Sequence, residues 1–530
     1  MDLSAKRIVI VGGGFAGVKC ARTLSKKLKS DGIEIVIFNR ENHMVFHPML
    51  AEVVGGSLNP DSVAAPLRQM LPGVKCRTEE VHDIDLETKT VVFKTYDERL
   101  ATLTFDHLIL ACGGDVNLTM VPGMADHAFA MKTVGDAVAL RAHVMEQLEK
   151  AEVCEDEELR RWFLSFIIVG GGYSGVEVAG EINDLARSSR RYFQNIKEED
   201  IEVTLIHSRA QLLPEIGEKL REFTADKMRQ SGVTVTLNAR ASLASHKGIS
   251  LKDGSEIKGA TIVCTIGTQP AAVLQKLDVT KERGRPLTRP DMRLVDYDYV
   301  WAIGDCAVIV NSEDDKPSPP TGQFAERQGK QVAANIIAVF RGQETKPFGF
   351  KPLGQLCAIG GHKAVAEIMG FRLSGFFAWV LWRCIYVMKL PSWSRRFKAG
   401  FDWCWQLVFG RDLAHLKTDT TKRVSNAHYK PGDVIFAEGD PATNFYVIEN
   451  GEVEIIRGEN EVLATMVAGD FFGEMALLSD NPRNATVRAK TDVEVVVMGR
   501  CVFEQISESM APLKELLTRA VEQRRSTPKE

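Results

Sequence analysis

The sequence predicts an α/β protein with two parallel β-α-β folds, followed by an amphipathic helical segment and a C-terminal all-β domain. Two glycine-rich stretches support the α/β part, since residues 7–17 and 166–175 both read as buried strand, tight turn and helix start. The third observation is a change of pattern beyond residue 424, where short strands alternate with turn sequences such as Asn450-Gly451.

Length and composition set the outer bounds. At 530 residues the chain is long enough for about three to four domains, each with its own core. The net charge of −4 gives no general attraction to nucleic acid, which we exclude as a partner. The ten cysteines form no C-x-x-C pair, which favours a reducing compartment and argues against a zinc site or a redox disulfide. We therefore expect no metal, and because the first strand begins close to Met1 we expect no targeting peptide.

The first glycine turn has the G-x-G-x-x-G spacing of a dinucleotide-binding strand and helix, with Gly12, Gly14 and Gly17. The first glycine allows the tight turn, the second lets a pyrophosphate approach the backbone, and the third packs the helix on the strand. The helix start at Phe15 and Ala16 would then face the phosphates with unpaired N–H groups. For one such motif alone, a glycine-rich turn without a nucleotide is the alternative.

The apolar run 33–38 reads as the second strand of this unit, and Asn39 follows it. A carboxylate that binds an adenosine ribose is usual at this position. An amide can still hydrogen-bond a hydroxyl, so we expect Asn39 at a ribose.

Two later strands also end in glycine. One runs into Ala111-Cys112-Gly113, where the backbone can pass close to a cofactor, although a plain core strand with a turn is the alternative. The other, over 299–303, is stopped by Gly304-Asp305. Both strand ends are therefore candidate contact points beside the first glycine turn.

The second glycine turn repeats the spacing with Gly170, Gly172 and Gly175, and Tyr173 and Ser174 open its helix. The repetition makes a nucleotide-free reading of the first turn less economical. A chain that states the same motif twice is simplest to understand as two dinucleotide-binding folds.

The second of these two folds lacks the acidic residue that an NAD-specific site normally carries. Its second strand ends in His207-Ser208-Arg209, and this fold ends at about Gly267. Arg209 would admit a 2′-phosphate, so NADH and NADPH both remain open. The alternative is that Arg209 points to solvent and NADH binds through other contacts.

Together, the two glycine turns, the Ala-Cys-Gly strand end and the Gly-Asp motif resemble the two-dinucleotide-binding-domain flavoproteins over roughly residues 5–350. The resemblance implies an FAD-binding domain over 1–130 and 290–370, and a nicotinamide-binding domain inserted over 131–289. It also implies that the aspartate at Asp305 holds the flavin ribityl chain. The cofactor-binding residues that follow from it are Gly12, Gly14, Phe15, Ala16, Gly17, Asn39, Arg40, Phe46, Pro48, Ala111, Gly113, Asp305, Gly170, Gly172, Tyr173, Ser174, Gly175, His207, Arg209 and Gly267.

Many such proteins reduce disulfides with a cysteine pair, which this chain lacks. Residues 319–330 instead look like the quinone-site motif of type II NADH dehydrogenases, usually Ala-Gln-x-Ala-x-Gln. Gln323 and Ala325 match it, while Gly322 and Arg327 depart from it and leave the quinone type open. Arg327 is alternatively a solvated charge on a helix face.

Two further stretches carry the same resemblance. Residues 46–50 resemble that family's loop beside the flavin, and Glu177 stands where its members carry a glutamate near the nicotinamide. The resemblance thus implies an FAD-dependent NAD(P)H:quinone oxidoreductase with Glu177, Gln323 and Arg327 as catalytic residues.

Residues 371–416 hold the membrane question. The apolar run 376–388 is interrupted by Arg383 and is too short to span a bilayer. Aromatic residues then recur at intervals of four, and residues 371–398 hold six basic side chains and no acidic one. The pattern predicts amphipathic helices that anchor the protein to an anionic lipid surface. The alternative is a helical hairpin that covers a core or a dimer face. The aromatic residues are Trp393, Phe397, Phe401, Trp405 and Phe409.

The type II dehydrogenases carry a similar C-terminal anchor. From this resemblance we expect a peripheral protein on the cytoplasmic face of the inner (plasma) membrane of a bacterium, and a homodimer. Because we expect no segment to span the membrane, we expect no proton pumping.

Residues 417–530 form the predicted all-β domain, a jelly-roll barrel with lid helices, entered through a polar linker near 417–424. Within it, residues 472–486 look like the phosphate-binding cassette of cyclic-nucleotide-binding domains. Glu474 would take the ribose 2′-hydroxyl and Arg483 the cyclic phosphate. The cassette residues are Gly473, Glu474, Met475, Ala476, Arg483, Asn484 and Ala485.

Three points about this domain stay open. Asn484 departs from both the alanine of cAMP-selective and the threonine of cGMP-selective members, so cAMP and cGMP both remain possible ligands. A degenerate domain kept for packing is the alternative to a sensor. The helical pattern over about 502–525 fits lid helices or a dimerisation helix equally.

The leading hypothesis is a membrane-surface NAD(P)H:quinone oxidoreductase regulated by a cyclic nucleotide. A second is a membrane-bound cyclic-nucleotide receptor whose flavoprotein body serves as a redox sensor or docking platform. A third is a soluble flavin reductase that passes electrons to a protein partner.

Overall fold

The computed structural model describes residues 6–96, 99–214, 216–414, 424–440, 444–458, 461–479, 483–499 and 503. The chain divides into two compact units, Met1–Leu416 and Lys417–Glu530. Most of the predicted linker, and the predicted tail helices apart from Phe503, lie outside the described residues.

Helices of very different length occur in the described residues. Their bounds are α1 Phe15–Lys27, α2 Leu50–Val54, α3 Pro60–Val63, α4 Leu67–Met70, α5 Met124–His127, α6 Val134–Val153, α7 Glu157–Phe163, α8 Tyr173–Ser189, α9 Glu218–Gln230, α10 Ala272–Lys276, α11 Gly322–Phe340, α12 Phe376–Lys389, α13 Trp393–Phe409 and α14 Glu474–Ser479. Short 3₁₀ turns cover His47–Met49, Leu118–Met120, Arg190–Tyr192, Glu198–Asp200 and Gly304–Cys306.

The first fold is a five-stranded parallel sheet. In spatial order its strands are Val300–Ala302, His107–Leu110, Arg7–Val11, Glu34–Phe38 and Lys75–Arg77. The central strands are continuous apolar runs because both faces of the sheet are covered, and the core around it includes residues of α1, of α11 and of the strand Thr90–Lys94. On one face α1 and α11 pack so closely that a Cβ at Gly329 would stand 2.2 Å from the Ala16 carbonyl oxygen.

The second fold is another five-stranded parallel sheet, and it is inserted in the first. All of its strands lie in the chain between Leu110 and Val300, which belong to neighbouring strands of the first sheet. In spatial order they are Ala128–Ala130, Thr261–Cys264, Ser165–Val169, Glu202–Ile206 and Val233–Thr236. The carboxyl ends of the central strands carry the two glycine turns, as parallel α/β folds place their ligand sites.

Smaller antiparallel sheets complete the first unit. The three-stranded ones are Glu80–Asp85 with Thr90–Lys94 and Leu100–Thr104, Ala241–Ser245 with Gly248–Leu251 and Glu256–Lys258, and Gly354–Ala358 with Ala364–Ile368 and Phe371–Gly375. The two-stranded ones pair His43–Val45 with Ala64–Pro66, Gly114–Val116 with Thr268–Pro270, Lys281–Glu282 with Arg285–Pro286, and Val310–Asn311 with Lys316–Pro317.

The aromatic segment forms two consecutive helices, α12 and α13, with two different faces. Trp382 and Trp403 are buried in the core that also contains α2 and α8. On the outer face Trp393 and Phe397 are 71% and 75% exposed, and Phe401, Trp405 and Phe409 are exposed with them. The hairpin therefore covers a core with one face and presents an aromatic stripe on the other. Within the described residues, neither these helices nor any other are long and apolar enough to cross a membrane.

The second unit contains two four-stranded antiparallel sheets. One is built from Val424–Tyr429, Val493–Gly499, Asn444–Asn450 and Phe471–Phe472, and the other from Val434–Phe436, Thr486–Ala489, Glu452–Arg457 and Glu461–Val467. Alternate residues such as Val453, Val487 and Val495 point inward and form one core between the sheets. This is the arrangement that the alternating strand and turn pattern predicts.

Candidate functional site

The first glycine turn is shaped by close backbone contacts. Gly12 has φ +115°, and a Cβ there would stand 2.2 Å from the Ala111 carbonyl oxygen. A Cβ at Gly17 would stand 1.9 Å from the Gly12 oxygen, whereas a Cβ at Gly14 would meet no atom within 4 Å. The turn is thus closed behind Gly12 and open in front of Gly14, where α1 begins.

Asn39 supports this turn. Its Oδ1 accepts the Gly13 N–H at 2.8 Å, and its Nδ2 donates to the carbonyl oxygens of Glu41 at 2.7 Å and His43 at 3.2 Å. Both amide donors are therefore used by the backbone, and only Oδ1 has capacity left to accept from a ribose hydroxyl. The neighbouring Arg40 pairs with Asp115 at 3.3 Å.

A cavity of about 460 Å³, here the first cavity, lies in front of this turn. Of the predicted cofactor residues it is lined by Gly12, Gly14, Phe15, Ala16, Asn39, Arg40, Pro48, Ala111, Gly113, Ser174, Gly267 and Asp305. Burial raises the pKa of the Asp305 carboxyl, and Lys132 and Arg285 lower it. An open glycine at a helix start and an acid on the far strand fit an extended dinucleotide such as FAD.

Gln328 is a residue of this site that the sequence reasoning missed. It is buried on α11, and its Oε1 accepts the Gly304 N–H at 2.8 Å, which fixes the turn that carries Asp305. A buried polar residue in an otherwise apolar helix face is the signal that points to it.

The second glycine turn repeats the geometry of the first. Gly170 has φ +128°, and a Cβ at Gly175 would stand 1.7 Å from the Gly170 carbonyl oxygen. A Cβ at Gly172 would meet no atom within 4 Å. The Gly171 N–H donates to His207 Nδ1 at 3.1 Å, so His207 supports this turn as Asn39 supports the first. Arg209 is exposed and does not line the first cavity.

A second cavity of about 680 Å³ lies between α1, α11 and α12. Its walls include Phe46, Leu356 and Ile385, and Tyr173 reaches it with a hydroxyl that donates to Gln355 Oε1 at 2.9 Å. Gln323 lines it and donates from Nε2 to the Gly354 carbonyl oxygen at 2.8 Å. The cavity thus combines apolar walls with polar and charged side chains, among them Lys19, Arg22 and Lys389.

The structure does not bring Arg327 into this site. Residues four apart usually share a helix face, and Gln323 on the same helix lines the second cavity. Arg327 nevertheless lies exposed on α11, and its guanidinium stands 5.3 Å from the centre of the Phe350 ring. The catalytic role expected of Arg327 is not supported by its position.

The two cavities share a wall. Phe15, His47, Pro48, Ser174, Glu177 and Gly322 line both of them. Glu177 is therefore the carboxyl group that reaches both spaces. Burial raises its pKa well above the usual range, the Ala358 N–H at 3.4 Å lowers it, and the carboxyl groups of Glu52 and Glu181 raise it further. These surroundings favour the protonated, neutral form of the Glu177 carboxyl group over the carboxylate.

His47 is a second group of the shared wall, and the sequence reasoning passed over it. Burial and the charge of Lys132 lower its pKa to about 4, although the backbone groups of Lys132 and Val45 act in the opposite direction. The imidazole is therefore neutral at pH 7. Its position between Phe46 and Pro48, both predicted to lie at the flavin, was the available signal.

The cassette of the second unit brings its predicted polar residues together. Arg483 is buried, and its Nη1 and Nη2 donate to the carbonyl oxygens of Gly473 at 2.7 Å and Asn444 at 2.5 Å. Its guanidinium lies 4.1 Å from the centre of the Phe436 ring, and its Nε has no hydrogen-bond partner among the described residues. A buried guanidinium N–H without an acceptor fits a site for an anion.

The remaining cassette residues surround this arginine. Glu474 is buried at the start of α14, Ala476 and Ala485 are buried, and the exposed Asn484 lies with Nδ2 3.8 Å from Met475 Sδ. Glu474 and Arg483 are thus both present at one place in the barrel, as a nucleotide site requires.

Two parallel α/β folds, the second inserted in the first, and a cavity in front of the first glycine turn define a dinucleotide-binding flavoprotein, and comparisons with known proteins agree. Residues 6–329 match the family model described as pyridine nucleotide-disulphide oxidoreductase. Residues 353–412 match the NDH2 C-terminal domain, and residues 426–510 match the cyclic nucleotide-binding domain.

Similar proteins point to one branch of that family. The chain is 31% identical over 418 residues to the type II NADH:quinone oxidoreductase NdhA of Mycobacterium tuberculosis, covering 75% of this chain and 86% of that protein. It is 29% identical to the mitochondrial internal alternative NAD(P)H-ubiquinone oxidoreductase A1 of Arabidopsis thaliana, covering 77% and 86%. The structure of NDH2 from Plasmodium falciparum in complex with NADH superposes with a TM-score of 0.72 at 20% identity, covering 77% of this chain and 99% of that one.

The chain belongs to the pyridine nucleotide-disulphide oxidoreductases, and within them to the type II NADH:quinone oxidoreductases. This confirms the resemblance seen in the sequence, the enzyme class, and the expectation of FAD and a nicotinamide nucleotide as cofactors. The predicted cyclic-nucleotide-binding domain is confirmed as a domain by its own match.

Proposed function

We propose that the protein transfers electrons from NADH or NADPH to a membrane quinone at the surface of a bacterial inner membrane, under control of a cyclic nucleotide. The observation that carries the proposal is the wall shared by the two cavities. It supports one space for the redox cofactor and one for a hydrophobic acceptor, with Glu177 reaching both.

The residues around the first cavity divide the work of holding the cofactors. The open side of Gly14 and the start of α1 receive a pyrophosphate, and Asp305 receives ribityl hydroxyls. Gly172 and the start of α8 would hold the pyrophosphate of the nicotinamide nucleotide in the same way. FAD, bound in the first cavity, would supply the two-electron redox chemistry.

The second cavity receives the quinone. Phe46, Leu356 and Ile385 pack against its ring and tail, and Gln323 orients it. Reduction of a quinone by NADH consumes one proton besides the hydride, and Glu177 supplies that proton from its protonated carboxyl group. A group with a raised pKa at the wall of the substrate cavity suits this role.

Glu177→Gln tests this role, since glutamine keeps the shape but holds no acidic proton. We expect quinone turnover to fall by about 10²-fold or more, the usual contribution of a positioned general acid. Turnover with hexacyanoferrate(III), which takes electrons and no proton, should stay within about twofold. Steady-state rates with both acceptors measure the ratio.

Glu367→Gln is the matched control, because Glu367 is paired with Arg372 at 3.1 Å near the surface and lines neither cavity. An unchanged quinone to hexacyanoferrate ratio in Glu177→Gln would refute the proton-donor role. Tight flavin binding with negligible quinone turnover in the unmodified protein would instead favour the receptor hypothesis.

The aromatic stripe on α13 supports a membrane-surface location. Trp393, Phe397 and Phe401 are all exposed, and the basic Arg395 is close by in sequence. Aromatic side chains at headgroup depth and basic residues together favour an anionic bilayer. Co-sedimentation with anionic vesicles should fall strongly in Trp393→Ser/Phe397→Ser/Phe401→Ser, and Cys404→Ser, exposed on the same helix, is the control.

Regulation by the second unit needs a route into the first. The segment 410–414 supplies one, because Arg411 Nη1 donates to the Gly55 carbonyl oxygen at 2.8 Å and Arg141 Nη2 donates to the Asp412 carbonyl oxygen at 2.7 Å. Arg411 also pairs with Glu181 on α8, one turn from Glu177. A nucleotide that changes the position of this segment therefore acts on the helix that carries the proton donor.

Adding cAMP or cGMP to the purified protein tests regulation directly. We expect one of them to change quinone turnover or vesicle binding, and Arg483→Gln to abolish the response while leaving quinone turnover intact. If neither nucleotide alters turnover, vesicle binding or protease sensitivity, the regulatory proposal is wrong.

A further inference from the structure

Behind the shared wall lies a buried cluster of charged groups that the reaction as described does not use. Its members come from three helices of the first unit and the segment after α13. Glu52 and Glu181 are 2% and 7% exposed, and neither lines the two cavities. The cluster consists of Glu52 on α2, Glu177 and Glu181 on α8, Arg383 on α12 and Arg411.

The contacts within the cluster are specific. Glu52 pairs with Arg383 at 3.4 Å and accepts from Trp403 Nε1 at 3.0 Å. Glu181 pairs with Arg411 at 3.2 Å and accepts from the Ser57 hydroxyl at 3.3 Å. Each buried carboxylate thus has one arginine and one neutral donor, the environment that burial of a charge requires.

Together with Asp184, which pairs with Arg411 at 3.6 Å, the cluster has four carboxyl groups and two arginines. Its charges therefore balance when two carboxyl groups are protonated, one of them Glu177 and the other Glu52 or Glu181. If Glu177 gave its proton to a substrate, the cluster would carry an uncompensated negative charge out of contact with bulk water. A buried charge without a partner is strongly unfavourable, so the cluster draws in a proton.

The cluster also has a side that faces solvent. Asp184 lies 3.6 Å from Arg411 and its side chain is 21% exposed, and the exposed His362 feels the charges of Asp184, Arg383 and Arg411. Asp184, which lines neither cavity, is therefore the place where protons from water can enter the cluster.

We propose that Glu52 and Glu181 store a proton and return it to Glu177 after each quinone reduction. The inference rests on the proposed role of Glu177 as the donor to the quinone. Glu52 and Glu181 touch neither cavity and act through Glu177, as positioning residues.

The protons and electrons balance as follows for one turnover. One C–H bond of the dihydronicotinamide breaks and delivers two electrons and one proton equivalent, and two O–H bonds form on the quinone. The second of these protons comes from the Glu177 O–H bond. The carboxylate left on Glu177 takes the proton held by the Glu52–Glu181 pair, and the pair recovers it from water on the Asp184 side.

Proton affinities within the cluster suit storage. Burial raises the pKa of Glu52 and Arg383 lowers it. Glu181 adds to the rise, Trp403 and Arg411 oppose it, and the resulting pKa of Glu52 is about 7. Burial also raises the pKa of Glu181, which Arg411 lowers and Asp184 raises. A group that titrates near neutrality can both give up and regain a proton under working conditions.

The pH profile of quinone turnover separates storage from a structural role. A store that titrates near pH 7 predicts that quinone turnover in the unmodified enzyme falls about tenfold from pH 6 to pH 8. In Glu52→Gln the store cannot titrate, so turnover at pH 6 should drop about tenfold and the slope between pH 6 and pH 8 should disappear. Hexacyanoferrate(III) reduction should be unaffected in both proteins.

Infrared difference spectra of the reduced minus the oxidised holoenzyme give a second readout. The band of a protonated carboxyl group that changes on reduction should be lost or shifted in Glu52→Gln and Glu181→Gln and kept in Glu367→Gln. Because Glu52→Gln leaves Arg383 without its partner, Glu52→Gln/Arg383→Gln removes both charges and serves if the single variant folds poorly.

The outcomes distinguish this inference from the function beneath it. If Glu177→Gln loses quinone turnover while Glu52→Gln and Glu181→Gln behave as Glu367→Gln in rate, pH profile and spectrum, the store does not exist and Glu177 alone is the donor. If Glu177→Gln itself keeps its quinone rate, both proposals fail.

Discussion

At the residue scale, the residue directly after the second strand supports the glycine turn in both α/β folds, as an amide in the first fold and as an imidazole in the second. Asn39 accepts the Gly13 N–H and His207 accepts the Gly171 N–H. The sequence predicts this position as a ribose contact, and it could not show that the side chain reaches back to the turn. The reason is that the contact depends on the close approach of two chain segments 26 and 36 residues apart.

The glycines of the first turn give the sharpest prediction at this scale. Gly12→Ala places a Cβ 2.2 Å from the Ala111 carbonyl oxygen at a φ of +115°, so we expect loss of the folded protein or of much of its stability. Gly14→Ala meets no atom within 4 Å, so the fold should persist. It should nevertheless lose flavin, because the methyl group occupies the approach to the backbone.

The ratio of flavin absorbance to protein, together with the midpoint of thermal unfolding, checks both variants. Gly14→Ala with full flavin content would show that the pyrophosphate does not approach this glycine. Gly32→Ala controls for the general cost of alanine at positive φ, because Gly32 has φ +66° and a Cβ there would meet no atom within 4 Å.

At the element scale, the α12–α13 hairpin combines the two alternatives that its sequence leaves open. The interval of four residues correctly predicts the exposed aromatic face. The opposite face could not be predicted, because Trp403 contacts Glu52 about 350 residues earlier in the chain and Asp402 contacts Asn59 and Ser62. Long-range polar contacts of this kind leave no periodic signal.

Asp402 holds α13 onto the first unit, and its removal gives the prediction at this scale. Its oxygens accept from the Asn59 N–H at 3.2 Å, from Asn59 Nδ2 at 2.7 Å and from the Ser62 hydroxyl at 2.8 Å. Asp402→Ala should lower the free energy of unfolding by about 1–3 kcal/mol. It should also speed amide exchange along α13, which mass spectrometry measures, whereas Cys404→Ser should leave both unchanged.

At the scale of the whole molecule, the order of motifs correctly predicts an inserted pair of α/β folds and a separate all-β domain. The repeated turns carry that information because each is local in sequence. The charge cluster behind Glu177 could not be predicted from the sequence. Its members are far apart in the chain, and each of them alone resembles a surface residue: Glu52, Glu181, Arg383 and Arg411. Only the packed fold shows that they are buried together.

Buried histidines give a prediction for the stability of the first unit. Burial lowers the pKa of His47, His107 and His143 to about 4, below the value of about 6.5 expected in the unfolded chain. Between these values the unfolded chain binds more protons, so the free energy of unfolding falls as the pH falls from about 6.5 to about 4. Each group contributes up to about 3 kcal/mol to this loss.

Thermal unfolding of the first unit across this pH range, with and without a substitution, measures the effect. His107→Gln should flatten the profile between pH 6.5 and pH 4, because the ring that packs against Phe340 no longer has to be neutral. His82→Gln, at an exposed position, is the control for removal of a histidine. Identical slopes in His107→Gln and the unmodified protein would show that folding does not lower the pKa of His107.

The attachment of residues 410–414 to α2, α6 and α8 has a thermodynamic consequence: the coupling between the nucleotide and quinone sites must also act from quinone to nucleotide. If a cyclic nucleotide alters quinone affinity through this segment by some factor, then quinone must alter the affinity of the second unit for that nucleotide by the same factor. When quinone accumulates, the affinity of this protein for the nucleotide would then change. Quinone would thereby alter the free concentration of the nucleotide, and titration of the nucleotide with and without quinone would measure this effect.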